Sequence, residues 1–582
     1  MQKKCKQAVW LVCIFLTSHS VLAQDKDQED KNIGTEKVMI VKAYTPTIQD
    51  ASKIKTNPKI EDSITQQKKA VQYSIFSVPV ASTFTPAKGR AASIDRPKKA
   101  TIYDNYATLG FGNYTSVLGE FYSNFELNRT DNAGVFLHHN SSQGGIDDVA
   151  LENKFYQTYL DLNYTSRARK YTYGIGVNVS HQLFNWYGLP EEPELTAEQI
   201  AAIDPEQSYF GAGLTAKVKF DDAIFKEGEI SYNYFGDAYN SIQHHAVVSP
   251  TLHLEIGEEL ITTNIIVDYL SGSFERDLNQ SLQIPNEYGF LNLGVNPNVS
   301  ILRDNLRLNL GASIYFSLDT ENSESDVFIY PNVTASYQLL DDMVIAYAGI
   351  EGELKQNTYE QAVEENPFVS PTLFIAPTNK QYDAYLGLKG KISDLVNYKV
   401  KASYTAEEGK PLFVNNRPEV IQLQDFDYGN SYSYRYDTVE RLGVYGELNF
   451  EINKTFTLGI NGTYASYTTD NEAEAWNLPE VTATLMLNYQ IDDNWSVGAQ
   501  TFYVGERMDI DSTEAPTPSN PDPSITLDSY MDANISVRYR FSDQLSVFVK
   551  GNNLLGNNYE RWVNFPVQGI QVLGGLTYKF NY

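Results

Sequence analysis

Hydrophobic and polar residues alternate along most of the chain, in segments of roughly ten residues that are separated by turns. In one such segment the apolar residues are Leu306, Leu308, Leu310 and Ile314, with polar or small residues at most positions between them. Successive side chains of a β-strand point to opposite faces, so each segment predicts a strand with one apolar and one polar face. The pattern runs from residue 105 to the end of the chain and predicts an all-β fold.

Strand length and the placement of aromatic residues favour a membrane barrel over a soluble β-sandwich, whose strands would also alternate. Many of the predicted strands exceed the usual length of about five or six residues. Aromatic residues such as Tyr489, Trp495, Tyr539 and Tyr578 lie near strand ends, which is typical of the girdles at the two membrane interfaces. After residue 24 no apolar stretch reaches the ~18 residues of a membrane helix, so the chain would cross a membrane as strands.

Tight turns alternate with long loops, as in outer-membrane barrels, whose turns face the periplasm and whose loops face outward. Tight turns are predicted at 257–259, 303–305, 341–342, 453–454, 492–494 and 542–544. Long loops are predicted at 189–206, 275–287, 357–379, 408–432, 468–479, 509–524 and 557–567. This pattern predicts a transmembrane antiparallel β-barrel of about 22 strands with both ends in the periplasm.

Three parts of the chain differ in composition. Residues 1–23 predict a cleavable signal peptide, with basic residues ahead of the apolar segment 8–16 and cleavage expected between Ala23 and Gln24. Both cysteines lie inside this segment, so the mature chain would have no thiol or disulfide chemistry. Residues 24–100, punctuated by prolines, predict a periplasmic arm, either outside the barrel or partly in its lumen. Residues 101–582 predict the barrel itself, in the outer membrane.

Charge excludes one class of partner. Residues 25–100 carry 14 basic and 9 acidic residues, whereas residues 101–582 carry 28 basic and 64 acidic residues. Nucleic-acid binding needs clustered Lys and Arg to neutralise phosphates, so the acidic barrel predicts no nucleic-acid partner. Outer-membrane lipid is the partner that the strand pattern implies.

The chain shows no pattern typical of catalysis or of a cofactor site. It has no phosphate-binding loop and no nucleophile elbow, which predicts that it is not an enzyme and uses no cofactor. The adjacent pairs His138-His139 and His244-His245 place neighbouring rings on opposite faces of a strand, so neither pair by itself chelates a metal. The acidic segment 509–523 lacks the glycine and spacing of a calcium loop and is expected to be solvated.

Five aromatic residues lie at or near the predicted external loops and are candidates for ligand contact: Trp186, Tyr187, Trp476, Trp562 and Phe565. Their rings could stack on a flat ligand or a sugar. Trp and Tyr are also enriched at the membrane interfaces of any such barrel, and the outer girdle is the favoured interpretation of the five.

The end of the chain carries the most specific pattern. Gly575, Tyr578 and Phe580 lie on a chain-terminal amphipathic strand and match the element that the barrel-assembly machinery recognises. Together with the preceding stretch 551–560, this strand resembles the end of the barrel of TonB-dependent receptors. The resemblance implies ligand binding at outer loops and uptake driven by energy from the inner membrane. It also implies a globular plug ahead of the barrel, roughly twice as long as the arm that this chain offers.

A short segment of the arm, containing Glu36, Val38, Met39, Ile40 and Val41, loosely resembles the family's energy-coupling box. Such a box adds a strand to a periplasmic TonB-type protein by main-chain pairing; an ordinary strand packed on the barrel mouth is the alternative. The first hypothesis is therefore receptor-like uptake. The alternative is a structural or accessory barrel subunit that docks a periplasmic or lipoprotein partner through its arm, which the missing plug favours. A passive wide channel is a third hypothesis.

Overall fold

The computed structural model describes residues 102–582 apart from 192–193, 222, 258, 276–285, 420–423 and 454. The predicted signal peptide, arm and energy-coupling segment therefore lie outside the described residues. The domain boundaries at residues 23 and 100 stay predictions.

Twenty-two strands form one antiparallel sheet, and four shorter strands pair in its long loops. Numbered in chain order, the strands are β1 (Asn105–Gly112), β2 (Val117–Glu126), β3 (Asp131–Gln143), β4 (Lys154–Arg167), β5 (Tyr171–Asn185), β6 (Glu206–Phe220), β7 (Phe225–Asp237), β8 (Ile242–Ile256), β9 (Glu259–Phe274), β10 (Asn286–Arg303), β11 (Leu306–Asp319), β12 (Glu324–Leu340), β13 (Val344–Lys355), β14 (Thr378–Ser393), β15 (Val396–Asn415), β16 (Tyr432–Asn453), β17 (Phe456–Thr469), β18 (Val481–Gln490), β19 (Trp495–Val504), β20 (Arg507–Ile510), β21 (Ser524–Leu527), β22 (Tyr530–Arg540), β23 (Leu545–Asn552), β24 (Glu560–Trp562), β25 (Phe565–Pro566) and β26 (Gln571–Phe580). Two short helices, α1 (Ala197–Ala202) and α2 (Tyr359–Glu365), lie in loops. Neither helix is long and apolar enough to cross a membrane.

The sheet closes on itself because β1 pairs with β2 on one side and with β26 on the other. This closure leaves no unpaired sheet edge, as a barrel in lipid requires. The structure thus confirms the predicted fold class and the number of strands.

The two ends of the barrel differ as predicted. At one end, which also holds both ends of the barrel sequence, turns of two to four residues join the strands. The long loops are all at the other end, which we call the outer mouth. The prediction that one loop begins at 408 is wrong, because β15 continues to Asn415. A bulge between Glu407 and Lys410 shifts its register with β16, and this shift interrupts the alternation on which the prediction depended.

The apolar face of each strand points outward. In β11, Leu310 and Ile314 are exposed, while Ser313 between them is buried toward the lumen. Trp495 and Tyr578, two of the predicted girdle aromatics, are also exposed on the outer face. The lumen is therefore lined by the polar face of each strand.

The closing strand is packed tightly at the barrel seam. Thr108 and Thr577 join their hydroxyl groups at 2.9 Å across the seam, and Gly110 lies opposite Gly575. A Cβ at residue 575 would lie 2.5 Å from the ring of Phe548 and 2.7 Å from the Cα of Gly110. Gly575 therefore has a packing role in the closed barrel. The part that Gly575, Tyr578 and Phe580 play in assembly stays a prediction.

Candidate functional site

The loop between β13 and β14 folds across the outer mouth, and we call residues 356–377 the lid. Its helix α2 begins after Thr358, whose hydroxyl accepts a hydrogen bond from the backbone N–H of Gln361 at 3.1 Å. Such N-caps satisfy one of the free N–H groups of a helix start. The helix ends at Asn366, which is extended because the following Pro367 disfavours helical geometry in the residue before it.

The apolar face of α2 is buried in the mouth. Tyr359, Ala362 and Val363 are almost fully buried. They belong to a core with inward-facing side chains of four barrel strands: Tyr209 on β6, Phe235 on β7, Leu270 and Phe274 on β9, and Tyr288 and Phe290 on β10. The ring of Tyr359 lies 5.0 Å from the ring of Phe274 in an edge-to-face arrangement. Burial of these apolar side chains therefore holds the lid against β6, β7, β9 and β10, whereas the strands that carry the lid are β13 and β14.

Hydrogen bonds fix the lid at both ends of α2. The hydroxyl of Tyr359 donates to the carboxylate of Asp237 at 2.7 Å, and its backbone N–H donates to the side chain of Gln243 at 2.6 Å. The backbone carbonyl of Pro367 accepts from the indole of Trp186 at 3.1 Å and from the hydroxyl of Tyr209 at 2.9 Å. The burial of the helix also raises the pKa of the Glu360 and Glu365 side chains.

The predicted ligand-contact aromatics lie in the outer mouth, and most of them support the lid. Tyr187 and Phe565 pack around Phe368 of the lid, with the rings of Phe368 and Phe565 stacked at 3.8 Å. Trp562 lies 5.2 Å from both Phe413 and Tyr432.

The remaining two predicted aromatics are fully buried. Trp186 stacks on Tyr239 and bonds to the lid as described. Trp476 belongs to a neighbouring core with Leu412 and Ile510. None of the five therefore lies on the lipid face as a girdle residue. Their contact with a ligand stays a prediction, and it would require the lid to move.

Asp509, in the short strand β20 of the loop between β19 and β22, is fully buried, although its segment was expected to be solvated. Its carboxylate accepts hydrogen bonds from the backbone N–H of Asn415 at 3.0 Å and from the hydroxyl of Tyr432 at 3.0 Å. Burial raises the pKa of Asp509 to about 6. The residue ties the β19–β22 loop to β15 and β16 next to the lid.

A second candidate site lies on the lumen wall formed by β9 to β14. It is a pocket of about 680 Å³, which we call the lumenal pocket. Four carboxamide side chains line it: Asn264, Asn296, Asn298 and Asn332. Its charged side chains are Glu351, Glu353, Lys380 and Asp383, so its formal charge is negative.

The histidine pairs contact carboxylates. His138 lies 3.4 Å from Glu120, and His245 lies 2.8 Å from Asp268. Within the part of the chain that the structure describes, no three His, Cys, Asp or Glu side chains are grouped so that they could hold a metal ion.

Sequence reasoning placed a loop at 357–379 but missed the lid and the lumenal pocket. Thr358 and Gln361 have the spacing of a helix N-cap, so the start of α2 was detectable. The asparagines of the pocket are also visible on the polar faces of their strands. Their convergence was not detectable, because it depends on the register between six strands.

A family model described as "TonB dependent receptor-like, beta-barrel" matches residues 94–554. The chain belongs to this family. The TonB-dependent receptor barrel was the resemblance that the end of the sequence predicted, and the match extends it over most of the chain. The protein is thus an outer-membrane barrel of the TonB-dependent receptor family.

One relative is the vitamin B12 transporter BtuB of Vibrio cholerae, which is 29% identical over 173 residues. That stretch covers 27% of this chain and 26% of the transporter. Among solved structures, the siderophore receptor PirA from Acinetobacter baumannii superimposes with a TM-score of 0.61 at 14% identity, covering 83% of this chain and 81% of that one. The pyoverdine receptor FpvA from Pseudomonas aeruginosa gives 0.61 at 12% identity, covering 83% and 80%. At this identity the two structures show the common fold.

Proposed function

We propose that this TonB-dependent receptor-family barrel binds a ligand at its outer side and takes it up through the lumen, with energy delivered by a TonB-type protein. The observation that carries the proposal is a complete barrel with a folded lid packed into its outer mouth. A lid in the mouth suits gated uptake better than passive diffusion. The names of the relatives place siderophores and vitamin B12 among the ligands to be tested first.

The energy-coupling step is assigned to the segment that contains Glu36, Val38, Met39, Ile40 and Val41. Strand addition gains its affinity from main-chain hydrogen bonds, so the segment needs free backbone N–H groups more than it needs particular side chains. The comparisons lend no support to the accessory-subunit alternative.

Cross-linking in cells tests this step. Because both cysteines lie in the predicted signal peptide, a single new cysteine in the mature chain is unambiguous. We expect Val38→Cys to form a disulfide with a cysteine placed in the strand-pairing region of the TonB-type protein. The matched control is Gln72→Cys, which lies in the arm but outside the segment.

Main-chain pairing adds a sharper criterion. Ile40→Pro removes a backbone donor and should abolish the cross-link at Val38→Cys, whereas Ile40→Ala should preserve it. Equal cross-linking at residues 38 and 72, or a cross-link that survives the proline, would refute energy coupling through this segment.

A further inference from the structure

The lumenal pocket contains an arrangement of like charges that the barrel itself does not need. Glu351 on β13 and Asp383 on β14 are direct cross-strand partners, and both line the pocket. Like charges directly opposite each other destabilise a sheet. The pocket's lysine, Lys380, lies 3.5 Å from the carboxylate of a third acid, Glu353.

The two opposed carboxylates are held in place by neutral donors. Glu351 accepts a hydrogen bond from the hydroxyl of Tyr385 at 2.9 Å, and Asp383 accepts one from the hydroxyl of Thr405 at 3.1 Å. These bonds orient the two carboxylates, but the hydroxyl groups bring no positive charge to offset the repulsion between them. Local conflicts of this kind are expected at functional sites.

The row of cross-strand partners that contains Glu351 and Asp383 continues across the neighbouring strands to two asparagines. Asn298, Gly311, Asn332 and Glu351 are successive cross-strand partners on β10 to β13. A Cβ at Gly311 would lie 2.7 Å from the carbonyl oxygen of Pro297 and 3.1 Å from the amide nitrogen of Asn298. The glycine therefore allows β10, β11 and β12 to pack closely in this row, where a side chain would clash.

One buried polar atom in the pocket has no protein partner. The side-chain oxygen of Asn296 is buried and unpaired among the described residues. Ser313, which is only 5% exposed, also lines the pocket. An unpaired buried acceptor is costly, so the Asn296 oxygen favours a ligand that donates hydrogen bonds.

We propose that the lumenal pocket binds a hydroxyl-rich ligand bearing an amine, whose ammonium group lies between Glu351 and Asp383 and whose hydroxyl groups meet the carboxamides. The excess of carboxylates disfavours an anionic ligand there. This inference deepens the proposed uptake function and rests on it for its biological meaning. Binding to the pocket, however, requires no energy coupling and is tested separately from uptake.

The test is calorimetric titration of the full-length protein in detergent with three probes at neutral pH. They are kanamycin, a hydroxyl-rich oligosaccharide with several ammonium groups; raffinose, a neutral oligosaccharide of similar size; and trigalacturonate, an anionic one. Kanamycin should bind most tightly, and trigalacturonate should not bind. The double variant Glu351→Gln, Asp383→Asn should weaken kanamycin binding about tenfold or more, because it removes two charge-assisted hydrogen bonds.

The control is Glu447→Gln, which removes a carboxylate that bonds to Tyr445 at 2.8 Å on β16 and lies outside the lumenal pocket. It should leave kanamycin binding unchanged, whereas equal losses in both variants would mean non-specific attraction to an acidic protein. The unliganded double variant should melt no lower than the parent, since it relieves an opposed pair of like charges. A lower melting temperature, no kanamycin binding, or a preference for trigalacturonate would overturn the proposal. Failure of the TonB cross-link with intact kanamycin binding would refute only the uptake proposal.

Discussion

At the residue scale, the barrel seam depends on the absence of one side chain. Gly575→Ala would place a methyl group against the ring of Phe548, the Cα of Gly110 and the carbonyl oxygen of Leu109. Overpacking of this kind costs about 1–3 kcal/mol, and two of the three contacts are with backbone that cannot turn aside. We expect less folded, heat-modifiable barrel on semi-native gels.

The adjacent glycine provides the control for this variant. A Cβ at Gly574 would have its nearest neighbour at 3.8 Å, so Gly574→Ala should assemble like the parent protein. If both variants assemble equally well, the close packing at Gly575 does not limit closure of the barrel.

The buried carboxyl of Asp509 predicts that stability depends on pH with a sign opposite to that of a salt-bridged carboxylate. Its pKa is raised from 3.8 to about 6 by burial, so the folded protein keeps a proton that the unfolded chain releases. The contribution of Asp509 to stability should therefore be fully present below about pH 4 and fall by about 3 kcal/mol between about pH 4 and 6. Asp509→Asn should remove most of this dependence, because no titratable carboxyl remains. Its amide oxygen can still accept from the backbone N–H of Asn415, and its NH2 group can donate to the hydroxyl of Tyr432, which bonds to the other carboxylate oxygen of Asp509.

Tryptophan fluorescence during thermal unfolding in detergent measures the effect, since Trp476 packs in one core with Ile510. Asp543→Asn, in an exposed turn, should keep the parent's pH dependence. The same pH dependence in Asp509→Asn as in the parent would show that this carboxyl is not responsible.

At the element scale, the accuracy of sequence-based prediction followed the range of the interactions involved. Strict alternation identified β11 and β18, because one lipid-facing and one lumen-facing side chain per pair of residues is a local requirement. The end of β15 was missed at its bulge, where two positions oppose one and the alternation is lost. Turns such as 304–305 were predicted well because two-residue connections allow few conformations.

The lid shows where local pattern ceases to be sufficient. Its start at Thr358 has a local signal, but its position follows from contacts of Tyr359 with Phe235 and Phe274, which are distant in sequence. The same holds for Trp186. Its local context is that of a girdle residue, yet its indole bonds to Pro367 across the mouth. Side chains that meet only through tertiary packing cannot be paired from one sequence.

At the scale of the whole molecule, two parts of the chain are candidates to close the lumen: the arm and the lid. A barrel of this size holds a wide lumen and is normally plugged. The lid packs into the outer mouth through an aromatic core that a large hydrophobic area stabilises. We therefore expect the lid to be the main barrier to ions entering from outside.

Single-channel conductance in planar bilayers shows whether the lid or the arm is the main barrier to ions. Tyr359→Ala deletes a fully buried ring at a cost of about 3–5 kcal/mol and should convert a closed channel into one that opens often. Phe374→Ala removes a half-exposed ring from the same lid and should stay closed. Deletion of residues 25–99 should leave the outer barrier in place, so a low conductance is expected there too. A large conductance after this deletion, with little effect of Tyr359→Ala, would mean that the arm is the plug and that the lid serves only to hold ligand.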